Sequence, residues 1–254
     1  MKLPTIDTYA FPVTLPSTGK QIALRPFLVR EEKLLLMAKE SGNPDDGVEA
    51  VAQVIRNCAA QDALDPREMP YFDSEYLLLQ LRIRSIGEII EPVYHCQNSV
   101  ASSTGDAGIC GNRMKLRINL TEVHVTDLPP TGEGLTVVVS PKFTLTLRYP
   151  SIYTISGLLR DAENMTPSLS KVVDGIVDIF DTLVDTENDV IYKFSDYTPA
   201  EKMEFLDSLD PRTYQKFVEF IGNMPMLTHS VDHICERCQF HHTISFTGLS
   251  DFLS

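Results

Sequence analysis

Positive charge is scarce in this chain. Twenty-two Lys and Arg stand against 35 Asp and Glu, a formal net charge of -13. Such an excess of carboxylates repels phosphate, so no nucleic acid is expected as a partner unless basic residues cluster. The densest basic spots are only Arg82 with Arg84, and the alternating Arg113, Lys115 and Arg117. Long apolar runs are missing too. Leu34–Ala38 and Val137–Val139 are far too short for a bilayer, and the opening MKLPTIDTYAFPV has no signal-like apolar core. No membrane partner is expected, and the chain reads as made and kept in cytoplasm. There the five cysteines point to metal ligands or buried thiols, not disulfides. Catalytic signatures are also lacking: HExxH, GxxxxGK[ST], GxSxG and GxGxxG do not occur. Ser168-Leu169-Ser170-Lys171 matches SxxK without the partner motifs of serine acyl enzymes. The expectation is a non-enzyme with no small-molecule substrate.

What remains is the composition of a globular protein, 43% hydrophobic and 22% charged. The hydrophobic period divides it. Residues 1–87 read as a hairpin turning at Pro16-Ser17-Thr18-Gly19, then helices over Glu31–Ser41, about 47–61, and from an N-cap at Asp73 to Gly87. Cys58 falls on the apolar stripe of the second helix and reads as a core thiol. Residues 88–149 alternate as antiparallel strands, most clearly Met114, Leu116, Ile118 and Leu120. Residues 150–225 return to helix. Lys171–Val184 would carry Val173, Ile176, Phe180 and Leu183 on one side and Asp174, Asp178, Asp181 and Asp185 on the other. Thr198-Pro199 and Asp210-Pro211 are helix starts. Residues 226–254 hold short strands around CERC and a tail. The fold class expected is α+β, one unit of helical N- and C-terminal segments around a small antiparallel sheet.

The chemistry-bearing residues are four cysteines. Cys235-Glu236-Arg237-Cys238 lies between extended runs, a spacing that turns both thiolates toward one ion. Cys96 and Cys110 each sit where a strand meets a loop, and the 13 residues between them resemble an insertion into a shorter knuckle. Four thiolates close a tetrahedral shell, so Cys96, Cys110, Cys235 and Cys238 are expected to hold a structural Zn2+ that staples the middle sheet to the C-terminal strands. His95, His233, His241 and His242 flank them as alternative ligands or outer neighbours. Leu249, Phe252 and Leu253 form an apolar i, i+3, i+4 set on the tail, read as anchors for a partner's groove.

Several stretches in chain order carry a resemblance. They are LPSTGKQIALRPFLVREEKLLLMAKESG at 15–42, FDSEYLLLQLRIRSIGEIIE at 72–91 leading into Tyr94 and Cys96, and LTLRYPS at 145–151. EKMEFLDSLDPRTYQKFVEFIGNMP at 201–225 follows, then CERC and ISFTGLSDFLS. Together they resemble the baseplate hub and hub-assembly proteins of contractile-tailed, T-even-type bacteriophages. The family's first cysteine pair is more closely spaced than Cys96 and Cys110. The resemblance implies a structural or assembly protein of the tail baseplate, with other phage tail proteins as partners. It implies a life in the host cytoplasm during assembly and in the virion tail baseplate.

Overall fold

The computed structural model describes residues 8–60, 64–101, 107–126, 128, 136–155 and 169–252. Strands β1 (Phe11–Thr14) and β2 (Gln21–Leu24) pair antiparallel around the anticipated turn, which closes with the Leu15 N–H donating to the Lys20 carbonyl. Helix α1 (Val29–Ser41) ends at Gly42, whose φ of 65° is the left-handed stop that glycine adopts without strain. Helix α2 (Pro44–Cys58) starts on an Asn43 cap with Pro at its first position. Its apolar stripe, Val54, Ile55 and Cys58, packs on the hairpin's Leu24 and on Leu77, Leu78 and Leu81. Those leucines belong to helix α3 (Tyr71–Ser85). Asp73 is not its N-cap as expected. It lies inside the first turn, 1% exposed, and its carboxylate receives the N–H and hydroxyl of Ser17 at the hairpin turn.

From here the chain runs out and back as one long interrupted hairpin. Its pairs are β3 (Ile89–Ile90) with β8 (Ile118–Asn119), β4 (Val93–His95) with β7 (Arg113–Lys115), and β5 (Ser99–Ala101) with β6 (Ala107–Ile109). All three keep the same register, with Ile90 opposite Ile118, His95 opposite Arg113 and Ser99 opposite Ile109. The alternation read from sequence holds: Met114, Leu116, Ile118 and Leu120 are all buried. Short β9 (His124–Val125) then joins a three-stranded sheet ordered β15-β14-β9, in which β14 (Leu227–Ile234) and β15 (His241–Thr247) flank CERC.

The second half departs from the helical expectation. Strands β10 (Thr136–Val138) and β11 (Phe143–Leu147) do not join the first hairpin but a four-stranded sheet, β10-β11-β12-β13. Helix α4 (Leu169–Asp178) stops early, and β12 (Phe180–Asp185) and β13 (Val190–Lys193) replace the rest of the anticipated helix. Two effects favour the hairpin. Leu145 of β11 pairs with Leu183, giving a backbone and side-chain partner across the sheet. Asp185 also nucleates the turn, its carboxylate accepting the Glu187 and Asn188 N–H groups at 3.0 and 3.1 Å. The four aspartates therefore share no helical face: Asp174 and Asp178 are on α4, Asp181 and Asp185 on β12. Ser168 of the SxxK match lies outside the described residues.

Helix α5 (Pro199–Asp207) has the anticipated capping box between Thr198 and Glu201, and α6 (Pro211–Gly222) the anticipated Asp210 cap. Phe217 of α6 and Leu206 of α5 cover the sheet through Phe180, Leu145 and Leu147. The architecture is thus mixed α+β with several small antiparallel sheets. No helix among the described residues is long and apolar enough to cross a membrane.

Candidate metal centre

Two strand pairs deliver the cysteines. On the first hairpin, Cys96 and Cys110 lie between the β4/β7 and β5/β6 pairs. The Cys96 N–H donates to the Asn112 carbonyl at 2.9 Å and the Cys110 N–H to the Asn98 carbonyl at 2.8 Å. Thirteen residues intervene between the two cysteines, and the β5/β6 pair among them brings the cysteines together at its base. Gly111, with φ of 63°, lets the strand turn so that its N–H reaches the Cys96 carbonyl at 3.0 Å. On the second, CERC makes the turn between β14 and β15. The Cys235 N–H donates to the Phe240 carbonyl and the Gln239 N–H to the Cys235 carbonyl, with Gln239 at φ of 57°.

The sulfurs converge. Sγ of Cys96 is 3.6 Å from Cys238 and Sγ of Cys110 is 3.9 Å from Cys235, and all four lie within 4.8 Å of one another. A tetrahedral ion with metal–sulfur bonds of about 2.3 Å sets its sulfurs about 3.8 Å apart. The donor set fits such an ion. Cys96, Cys110 and Cys235 are buried and Cys238 half-buried, so the site is closed. Cys58 is elsewhere, inside the α2 core.

Crowding splits the acidities of Cys96, Cys235 and Cys238. Burial and the neighbouring sulfurs push the Cys96 thiol up to about 12. The backbone N–H groups of Cys238 and Arg237 bring Cys235 down to about 6, and that of Phe240 lowers Cys238. Like charges this close cannot all persist unless an ion shares them, and the cluster could hold such an ion.

Side chains around the sulfurs are also arranged. His242 Nε2 lies 3.1 Å from Cys96 Sγ, and its ring packs edge-on against Tyr94 and Phe240. It borders the cluster and is not one of its four converging members. The Asn98 amide donates to Cys238 Sγ at 3.5 Å, and that of Asn112 to Cys235 Sγ at 3.6 Å. Arg237 Nη1 donates to the Cys110 carbonyl at 2.9 Å, tying the knuckles together. Sequence reasoning gave neither asparagine a role at the sulfurs, although the signal was present: Cys-x-Asn occurs at 96–98 and again at 110–112.

The tail behaves differently from its expected role as a partner anchor. The turn Leu249–Phe252 folds back on its own chain. Phe252 is completely buried against Leu79, Ile90, Ile118, Leu120 and Leu227, and Leu249 is partly buried beside α3. Gly248, at φ of 70°, supplies the reversal, and the Gly248 N–H donates to the Leu227 carbonyl. Leu249 and Phe252 of the anticipated set thus pack within the chain. Leu253 lies outside the described residues.

The family model described as T4 bacteriophage base plate protein matches residues 7–254. No curated protein and no solved structure matches the chain.

Proposed function

The chain belongs to the T4 bacteriophage base plate protein family, and we propose that it is a zinc-stapled, non-catalytic component of the baseplate hub. Membership makes it a structural protein of the phage tail with other tail proteins as partners. The metal and the hub position are the further steps. The observation that carries the metal is the convergence of four cysteine sulfurs within 4.8 Å in a closed pocket. An all-thiolate tetrahedral shell favours zinc, and a shell without a vacant position holds structure and offers no open site for catalysis.

Bound there, zinc supplies folding energy. Cys110 and Cys235 are 125 positions apart, so the ion joins the β4–β7 hairpin to the β14–β15 hairpin across a long loop. A rigid, cross-braced unit suits a protein that must present fixed surfaces to neighbouring subunits. Net charge of -13 favours protein partners over nucleic acid. Elemental analysis of chelator-washed protein should return close to one zinc per chain. Recovery of well-folded, metal-free protein refutes the zinc reading.

The same family resemblance supports a second reading, a hub-assembly factor that leaves before the particle is complete. Mass spectrometry of purified virions separates the two: a virion component is present in fixed proportion to the other baseplate proteins, and an assembly factor is absent.

A further inference from the structure

We propose that Asn98 and Asn112 are a pair of positioning residues on the first hairpin that hold the two metal-bound CERC thiolates by hydrogen bonds across the site. The inference rests on the metal reading above and names residues which that reading does not require.

The hairpin register makes the pair. The β4/β7 and β5/β6 ladders share one register, so Cys96 stands opposite Asn112 and Asn98 opposite Cys110. The two Cys-x-Asn sequences run antiparallel to each other between the paired strands, the second bent at Gly111, and their two thiols and two amides all meet the CERC cysteines. Each strand gives the ion one ligand and gives the opposite half-site one donor. Asn98 reaches Cys238 at 3.5 Å and Asn112 reaches Cys235 at 3.6 Å.

The chemistry requires asparagine. A neutral thiol is a weak acceptor, whereas a metal-bound thiolate is charged and attracts an N–H. Four thiolates around a divalent ion keep two negative charges, which the amide donors offset without adding charge of their own. Aspartate has the same shape and is plentiful in this acidic chain, yet it would set a carboxylate against the sulfur. Hydrogen bonds of this kind orient first-layer ligands and tune the ion they hold.

The test uses the full-length protein, loaded with Zn2+ for kinetics and with Co2+ for spectroscopy, as wild type, Asn98→Asp and Asn112→Asp. Each variant is expected to fold, by circular dichroism, and to bind one ion. Transfer of the ion to a competing chelator should accelerate, with affinity for the ion lowered about 10–100-fold. The sulfur-to-cobalt charge-transfer band should move to longer wavelength, because removing the donor raises the energy of the sulfur electrons. If an aspartate variant does not fold, Asn98→Ser and Asn112→Ser, whose hydroxyls are too short to reach the sulfur, are expected to show the same two changes. Lower melting temperatures with unchanged transfer rates and an unchanged band would make the asparagines merely structural and overturn the proposal. Wild-type protein that holds no ion at all refutes the metal reading itself, a result visible before any substitution.

Discussion

Asp73, in the first turn of helix α3, accepts two hydrogen bonds from Ser17 at the tip of the N-terminal hairpin, 56 residues earlier in the chain. The carboxylate does not cap its own helix, and it fixes the β1–β2 turn against α3. Burial pushes its acidity weaker while the Ser17 N–H and hydroxyl pull the other way, and burial prevails. Asp73→Ala leaves the Ser17 N–H without its partner and should cost about 1–3 kcal/mol in denaturant unfolding. An unchanged midpoint would show that water replaces the carboxylate without loss.

Phe252 should behave as a core residue. It is 0% exposed among side chains of α3, the first hairpin and β14. Phe252→Ala is expected to destabilise by about 3–5 kcal/mol, read from chemical denaturation. A tail that served only as a partner's anchor would leave the melting of the isolated protein unaltered.

Glu75 sits beneath this tail. Burial raises its carboxyl to about 7 despite the Leu249 N–H that donates to it at 3.3 Å. Its folded value lies above the ordinary 4.5, so its contribution to stability is full below about pH 4.5 and is lost as pH rises through 7. Glu75→Gln removes the cost of ionisation. The variant should melt higher than wild type at pH 8 and equal to it at pH 4; equal melting at both would place Glu75 in contact with solvent.

Glu31 has the opposite sign. Burial alone would raise it, but Arg25, the Leu28 N–H and Arg30 together outweigh burial and hold it at about 2. Its stabilisation is therefore present above about pH 4.5 and lost as pH falls toward 2. Glu31→Gln should be less stable at neutral pH and lose less stability across that acid window. Parallel acid titrations of the two proteins would count against the ion pair.

Two cysteine substitutions separate ligand from packing. On the zinc reading, Cys238→Ser removes a ligand and should lower both metal content and global stability, since the ion's binding energy would also be folding energy. Cys58, whose buried thiol is pushed up to about 11, lies in the α2 core. Cys58→Ala should cost on the order of 1 kcal/mol and keep the metal. Zinc loss in Cys58→Ala would reassign the ligand set.

The sequence alone determined the features that depend on neighbours along the chain. Helix caps at Thr198 and Asp210, the Gly42 stop, the hairpin turn at 16–19 and the alternation from Met114 to Leu120 are local agreements between side chain and backbone. The cysteine set was legible because thiols are few and the CxxC spacing carries its own turn. Tertiary structure decided where one pattern served two conformations. Phe180–Asp185 is apolar at helical spacing, yet a waiting strand edge at β11 offered partners that a helix could not use. The tail's anchors could fill any apolar groove, and the nearest was the chain's own, between α3 and the first hairpin. Cys-x-Asn was printed twice in the sequence, but its meaning depends on a register that sets Cys96 opposite Asn112 and on a knuckle 125 residues away, which only the folded chain brings together.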